Sequence, residues 1–435
     1  MKKGNPAALL PIGVFLAMYL GLGLLFEYGL HIEMGFYKVP IIIAFLAAIL
    51  VACLQNRSLS FDGKLEIMGQ GVGDKNIITM LLIFLCAGSF VGVVGKTSAE
   101  SVAYFMLSLV PARFALVMLF AVACFVSTAM GTSVGTITLL TPIATQIAQA
   151  SGLNAALCVA AVVGGSMFGD NLSFISDTTI AACNGQGCPM RDKFKGNFLI
   201  ALPAALAAVV LILIMTAGEG NSIVSKEYDL TLVIPYVLVL IGGIAGINVF
   251  VVLLLGIASG ALIMLITGQL PATELLANMG SGAAGMFETS MVAVLVAALC
   301  ALIRVNGGFE ALLNMIRRVF RGNRGGQLGI GLLVGLMDVA TANNTVAIVM
   351  ANPIARDMSR EYGISPKRTA CLLDTFSCIF QGVIPYGAQM LMAISAAAGM
   401  GVELSAFDIM GYLYYPYMLL VSSVIAIFLF REKKN

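Results

Sequence analysis

The sequence has no tryptophan and a single histidine, His31, in 435 residues. One imidazole cannot assemble a zinc or haem ligand set, and without tryptophan any aromatic belt at a membrane surface must come from tyrosine and phenylalanine. Charge is also scarce. Only 11% of residues carry it, less than half the usual share of a soluble domain. The 24 basic and 22 acidic residues leave a net charge of +2, which excludes a nucleic-acid binder. The nine cysteines are an odd number, and Cys53, Cys86, Cys124, Cys158 and Cys300 sit inside apolar runs, where a thiol acts as a small hydrophobe. Cys183 and Cys188 are the closest pair, with four residues between them, which is a poor metal spacing.

What the chain does have is apolar length. Hydrophobic residues make up 60%, and the mean hydropathy is +0.99. The runs are long and unbroken, so they read as helices rather than the short alternating strands of a membrane barrel. The first run lacks a small-residue cleavage site and reads as a first span. A span takes roughly 20 apolar residues. Segments 6–27, 36–55, 76–96, 196–217, 231–247, 248–268, 286–304 and 407–430 qualify. Two other regions, 112–185 and 326–400, are apolar but interrupted by Gly, Pro, Asn, Ser and Thr. Each reads as a re-entrant hairpin (112–150 and 326–360) followed by a broken helix (153–185 and 367–400). Such a backbone is tolerated at membrane depth only where protein or a wet cavity covers it. The expected fold is an all-α polytopic membrane protein of about ten transmembrane helices, two hairpins and two broken helices.

The basic residues test this count. With a cytoplasmic N-terminus, the inner segments hold Lys2, Lys3, Arg57, Lys64, Lys75, Arg191, Lys193, Lys195, Arg304, Arg317, Arg318, Arg321 and Arg324. They also hold Arg356, Arg360, Lys367, Arg368, Arg431, Lys433 and Lys434, which makes 20 of the 24. Only Lys38, Lys96, Arg113 and Lys226 fall outside. That asymmetry predicts a cytoplasmic-membrane protein with both termini inside.

The two broken regions resemble each other. Pro142-Ile143-Ala144 and Gly152 match Pro353-Ile354-Ala355 and Gly363 at an offset of 211, and at nearly that offset Gly73 and Gly95 match Gly285 and Gly307. Two repeats follow, 1–217 and 231–435, around a linker at 218–230. Five full spans in each half is an odd number, so the halves enter the membrane from opposite sides. This is the inverted-repeat plan of secondary transporters, whose sites lie where the broken helices meet.

Polar residues concentrate at those breaks. The first holds Asp170, Asn171, Ser173, Ser176, Asp177, Thr178 and Thr179 in ten residues. A charge buried in hydrocarbon costs at least ~2.5–3.5 kcal/mol, so it has a partner or a purpose. Lys and Arg stay at the ends of the expected intramembrane segments, which points to an imported cation, and hard oxygen ligands suit Na+ or H+. The second break has Gln381, Tyr386 and Gln389, able either to bind a substrate or to stabilise the break. The hairpin tips add Thr132 and Ser133, and Asn343, Asn344 and Thr345, which serve a tight turn or offer oxygens to an ion. Glu288, Asp338 and Asp374 lie in apolar surroundings as candidate proton carriers or hydrogen-bonded structural acids. Burial favours a carboxyl's proton and a nearby cation favours its anion, so one group can carry either.

The run Phe168-Gly169-Asp170-Asn171-Leu172-Ser173-Phe174-Ile175-Ser176-Asp177-Thr178-Thr179 resembles the Gly-Asp-x-x-Ser-Pro-x-Ser-Asp-Thr-Thr signature of the NhaC-type sodium/proton antiporter family, within the ion transporter superfamily. Asn343-Asn344-Thr345 is similar to the Ser-Asn-Thr tip of that superfamily's dicarboxylate transporters. Phe174 stands where the family usually has proline. The resemblance implies Na+/H+ exchange by alternating access, with Asp170, Asp177, Ser173, Ser176, Thr178 and the first tip at the ion. The alternative is Na+-coupled uptake of an amino acid or other small organic solute. An enzymatic reading rests on Gly71-Val72-Gly73-Asp74, which spells the Gly-x-Gly-Asp motif of intramembrane aspartyl proteases. Asp74 adjoins Lys75 in a charged stretch and no Tyr-Asp partner occurs in a span, so the chain is read as a carrier and not an enzyme. The expected partners are membrane lipid and a monovalent cation, with a solute and a homodimer left open. No bound cofactor is expected, only transported Na+ and H+.

Overall fold

The computed structural model describes residues 4–31, 38–174, 176–217 and 227–429, and within them the chain is helical with no strand. The linker expected at 218–230 and the terminal lysines lie mostly or wholly outside the described residues, as does Ile175. Seven helices are long and apolar enough to cross a membrane: Pro6–Leu24, Ile77–Gly95, Ala155–Gln186, Met190–Met215, Val249–Ile266, Ala272–Val305 and Pro366–Gly399. Three shorter apolar helices, Ile41–Leu54, Leu230–Gly242 and Tyr414–Leu429, overlie the other expected spans. The chain is a multi-pass membrane protein. Its outer faces carry exposed Leu199, Leu206, Val210 and Ile214 on one helix and Leu254, Leu255 and Leu262 on another. Lipid, not water, matches such surfaces.

The expected span at 76–96 corresponds to the helix Ile77–Gly95, and the helical backbone does not end there. It runs on as Lys75–Leu109, bent at Gly95, whose φ of 58° only glycine adopts without strain. The following pair, Thr97–Leu109 and Phe114–Met130, meets at 118°.

The hairpins are helix pairs with two-residue tips. Ala112–Met130 turns through Gly131 into Ser133–Ser151, and Gly322–Thr341 turns through Ala342 into Asn344–Tyr362. Thr132 and Asn343 cap the second arms, their side chains accepting from the amides of Gly135 and Val346. Each broken region then gives a long helix and a short one: Ala155–Leu172 with Asp177–Gln186, and Pro366–Val383 with Ala388–Gly399. Three of these start points recur at an offset of 211 (133 and 344, 155 and 366, 177 and 388). Left-handed turns recur with them, at Gly131 and Ala342 and at Gly152 and Gly363.

One continuous core runs through both halves. The short helix of each half packs on the second hairpin arm of the other: Asp177–Gln186 on Asn344–Tyr362, and Ala388–Gly399 on Ser133–Ser151. The first contact is polar. Gln186 donates to the Asn352 side chain at 2.8 Å, Asn352 donates to the Ala181 carbonyl at 2.9 Å, and Arg356 donates to the Gly185 carbonyl. Gly169 lets Ala155–Leu172 approach the first hairpin arm. A Cβ there would lie 2.5 Å from the Cys124 carbonyl, the Ser127 side chain and the Thr128 amide.

Candidate functional site

A cavity of about 340 Å³ opens between the two hairpin tips. Thr132 and Ser133 line it from the first tip and Asn343, Asn344 and Thr345 from the second. Asp170, Ser176, Asp177 and Thr178 come from the first break, and Gln389 from the second. Four helices begin at its wall, at Ser133, Asp177, Val249 and Asn344. Their N-termini set positive dipole ends around the space.

Asp170 is the buried charge of this wall, with 4% of its surface exposed. Ser133 donates to its Oδ2 at 2.7 Å, and Ser176 donates to its Oδ1. Ser176 also shares a hydrogen bond of 2.7 Å with Thr178. Gln389 reaches across from the second half and donates to the Ser133 hydroxyl at 3.1 Å. Among the described residues no basic side chain pairs with Asp170. Asp177, at the start of its helix, is exposed toward the same cavity.

The opposite side of the first break faces a different partner. The expectation that no basic side chain lies in the interior does not hold for Lys193. Its side chain is 1% exposed and forms an ion pair with Asp374, which is fully buried. The Lys193 ammonium also donates to the Asn171 carbonyl and to the Thr179 hydroxyl, each at 2.6 Å. Asn197 joins the cluster: its amide bonds the Asn171 side chain and lies 3.2 Å from Asp374 Oδ2. The helix Met190–Met215 starts before the expected span, and its buried stripe includes Lys193, Asn197, Ile200, Ala201 and Ala204. Arg191 and Lys195, on either side, are exposed. Helical spacing thus separates one buried lysine from a basic cluster that reads in the sequence as a loop. Lys193 and Asn197 are the residues that sequence reasoning missed.

The other expected residues divide by position. Asn171 and Ser173 are buried but do not line the cavity. Gln381 is fully buried and donates to the Ala342 carbonyl at 3.0 Å and to Gln389 Oε1 at 2.8 Å, holding the second tip. Tyr386 donates to the Val339 carbonyl at 2.6 Å, and its ring meets Phe15 edge-on at 4.8 Å. Both residues stabilise the break rather than face the cavity. Asp338 is fully buried and accepts from Ser377 at 3.2 Å. Glu288 is exposed and lines a separate cavity with Tyr19, Thr289, Pro385 and Ser395. Asp74 also lies away from Asp170, in a third cavity with Gln70, Arg304 and Asn343.

A family model described as the Na+/H+ antiporter family matches residues 9–217 and 227–430, nearly the whole chain. The chain belongs to the Na+/H+ antiporter family. Within known proteins it is similar to the malate-2H+/Na+-lactate antiporter of Bacillus subtilis, 25% identical over 222 residues, covering 50% of this chain and 44% of that protein. The match therefore spans less than half the length of that relative. It is also similar to an uncharacterized Na+/H+ antiporter of Haemophilus influenzae, 23% identical over 365 residues, covering 73% of this chain and 77% of that one. Among solved structures, the YdaH transporter of Alcanivorax borkumensis aligns over 97% of this chain and 98% of its own, with a TM-score of 0.45 and 15% identity. MtrF of Neisseria gonorrhoeae aligns over 96% and 94%, with a TM-score of 0.43 and 13% identity.

Proposed function

We propose that the chain exchanges Na+ for H+ across the cytoplasmic membrane, and that Asp170 is the carboxylate on which the two ions compete. One observation carries this reading: Asp170 is buried, unpaired with any described basic group, and set by Ser133 and Ser176 on the wall of a cavity shared by both halves. A buried carboxylate in that setting is costly unless a cation or a proton neutralises it. The hydroxyls of Thr132, Ser133, Ser176 and Thr178 supply the hard oxygens that complete a Na+ shell. Asp177, exposed on the same wall, draws cations toward the site. The distribution of basic residues supports an orientation with both termini cytoplasmic. The two offset halves support an inverted arrangement in which hairpins and broken helices move against the continuous spans.

A second reading has its own observation. A cavity of 340 Å³ holds far more than one dehydrated Na+, and four helix N-termini around it favour a carboxylate. Asn343, Asn344 and Gln389 offer the amides to orient such a solute. In this reading Na+ at Asp170 drives movement of a small organic acid.

Proteoliposomes with a trapped pH dye and a clamped membrane potential test both. Proton flux that follows a Na+ gradient without solute, and is lost in Asp170→Asn, is the result expected of antiport. Absence of that flux in the folded wild-type protein, with Na+ uptake stimulated by lactate or malate, moves the assignment to the second reading.

A further inference from the structure

A lysine ammonium has three N–H donors. Lys193 spends all three inside the protein, on Asp374, the Asn171 carbonyl and the Thr179 hydroxyl. The two protein oxygens sit on opposite sides of the first break. Asn171 is in the last turn of Ala155–Leu172, where carbonyls lack an intrahelical partner, and Thr179 is in the first turn of Asp177–Gln186. Between them run Ser173, Phe174 and Ser176, with no proline to fix the backbone. Phe174 is exposed and stacks on Phe194 at 4.7 Å, which adds a contact with the lysine's own helix.

We propose that Lys193 is a positioning residue for the ion site: anchored on Asp374 of the second half, its ammonium clamps both ends of the first break and so sets Asp170 and Ser176 at bonding distance. This rests on the assignment of the cation to Asp170. Asn171 is the residue next to Asp170, and Thr179 follows Thr178, which bonds Ser176. The clamp thus holds the flanks of the Asp170–Ser176–Thr178 chain from the side away from the cavity. The same geometry occupies one oxygen of Asp374 and leaves the other, Oδ1, open to a proton. Its Oδ2 is taken by Lys193 and lies 3.2 Å from the Asn197 amide, and a transported cation would have to displace an ammonium that has three partners.

The test is the Na+ dependence of proton flux in proteoliposomes of the full chain. Lys193→Met is expected to raise the Na+ concentration for half-maximal flux at least tenfold while the maximal rate falls less than threefold. The double variant Lys193→Met/Asp374→Asn, which leaves no unpaired charge, is expected to keep that tenfold rise because the clamp is still missing. Wild-type Na+ dependence in either protein overturns the proposal; in the double variant it reduces Lys193 to a charge partner of Asp374. Where Lys193→Met does not fold, Thr179→Val removes one arm of the clamp and no charge. It is expected to raise the half-saturation about threefold, and an unchanged value overturns the proposal. Asp170→Asn separates the two claims: if it keeps wild-type Na+-coupled flux, the ion-site assignment fails, whereas the clamp is judged only by the Lys193 and Thr179 variants.

Discussion

Ser133 ties one residue of each half into one site, since it donates to Asp170 and accepts from Gln389. A hydrogen bond to a charged group contributes about 1.5–3 kcal/mol and favours the ionised form. Ser133→Ala therefore removes one support of the carboxylate that holds the cation, and the Na+ concentration for half-maximal flux is expected to rise about tenfold at neutral pH. Transport titrations at fixed pH check this; an unchanged value would remove Ser133 from the site. The cluster around Asp170 was legible in the sequence because carboxylates and hydroxyls stand out against an apolar run. Lys193 was not, because Arg191, Lys193 and Lys195 together look like a solvated loop. Only the register of the helix, four residues before Asn197, turns one of them inward.

The helices themselves were readable from length and hydropathy, and the eight unbroken spans expected each overlie a helix. The breaks were readable from Gly, Pro and polar residues, but their directions were not. The bend at Gly95 shows why: an isolated glycine in an apolar run gives no sign of whether the backbone enters the left-handed region. Close approach is equally silent in sequence. Gly169 packs where a Cβ would strike three atoms of the first hairpin arm at 2.5 Å, two of them backbone. Overpacking of this kind costs about 1–3 kcal/mol. Gly169→Ala is expected to lower the thermal unfolding midpoint of the detergent-solubilised protein, whereas Gly280→Ala, where no atom lies within 4 Å, leaves it unchanged or higher. Equal midpoints would show that the hairpin arm gives way.

For the whole molecule, the proposed competition of two ions at one carboxylate fixes the sign of the pH response. Where the site is mostly protonated, Na+ must displace H+, so its half-saturation is expected to fall about tenfold per unit rise in pH and then level off once the proton has left. Flux measured against Na+ at several pH values checks this, and a half-saturation independent of pH argues for separate sites. The reciprocal docking of the short helices has a consequence in time. Asp177–Gln186 finds its polar bed, Asn352 and Arg356, only after some 170 further residues have been synthesised. Until then Gln186 and the carbonyls of Ala181 and Gly185 lack those partners, and Lys193 lacks Asp374. The newborn first half therefore carries an uncovered polar seam until the second half is made. Neither half finishes folding before the other arrives, and two separately produced fragments, 1–217 and 227–435, would acquire function only when made in the same cell.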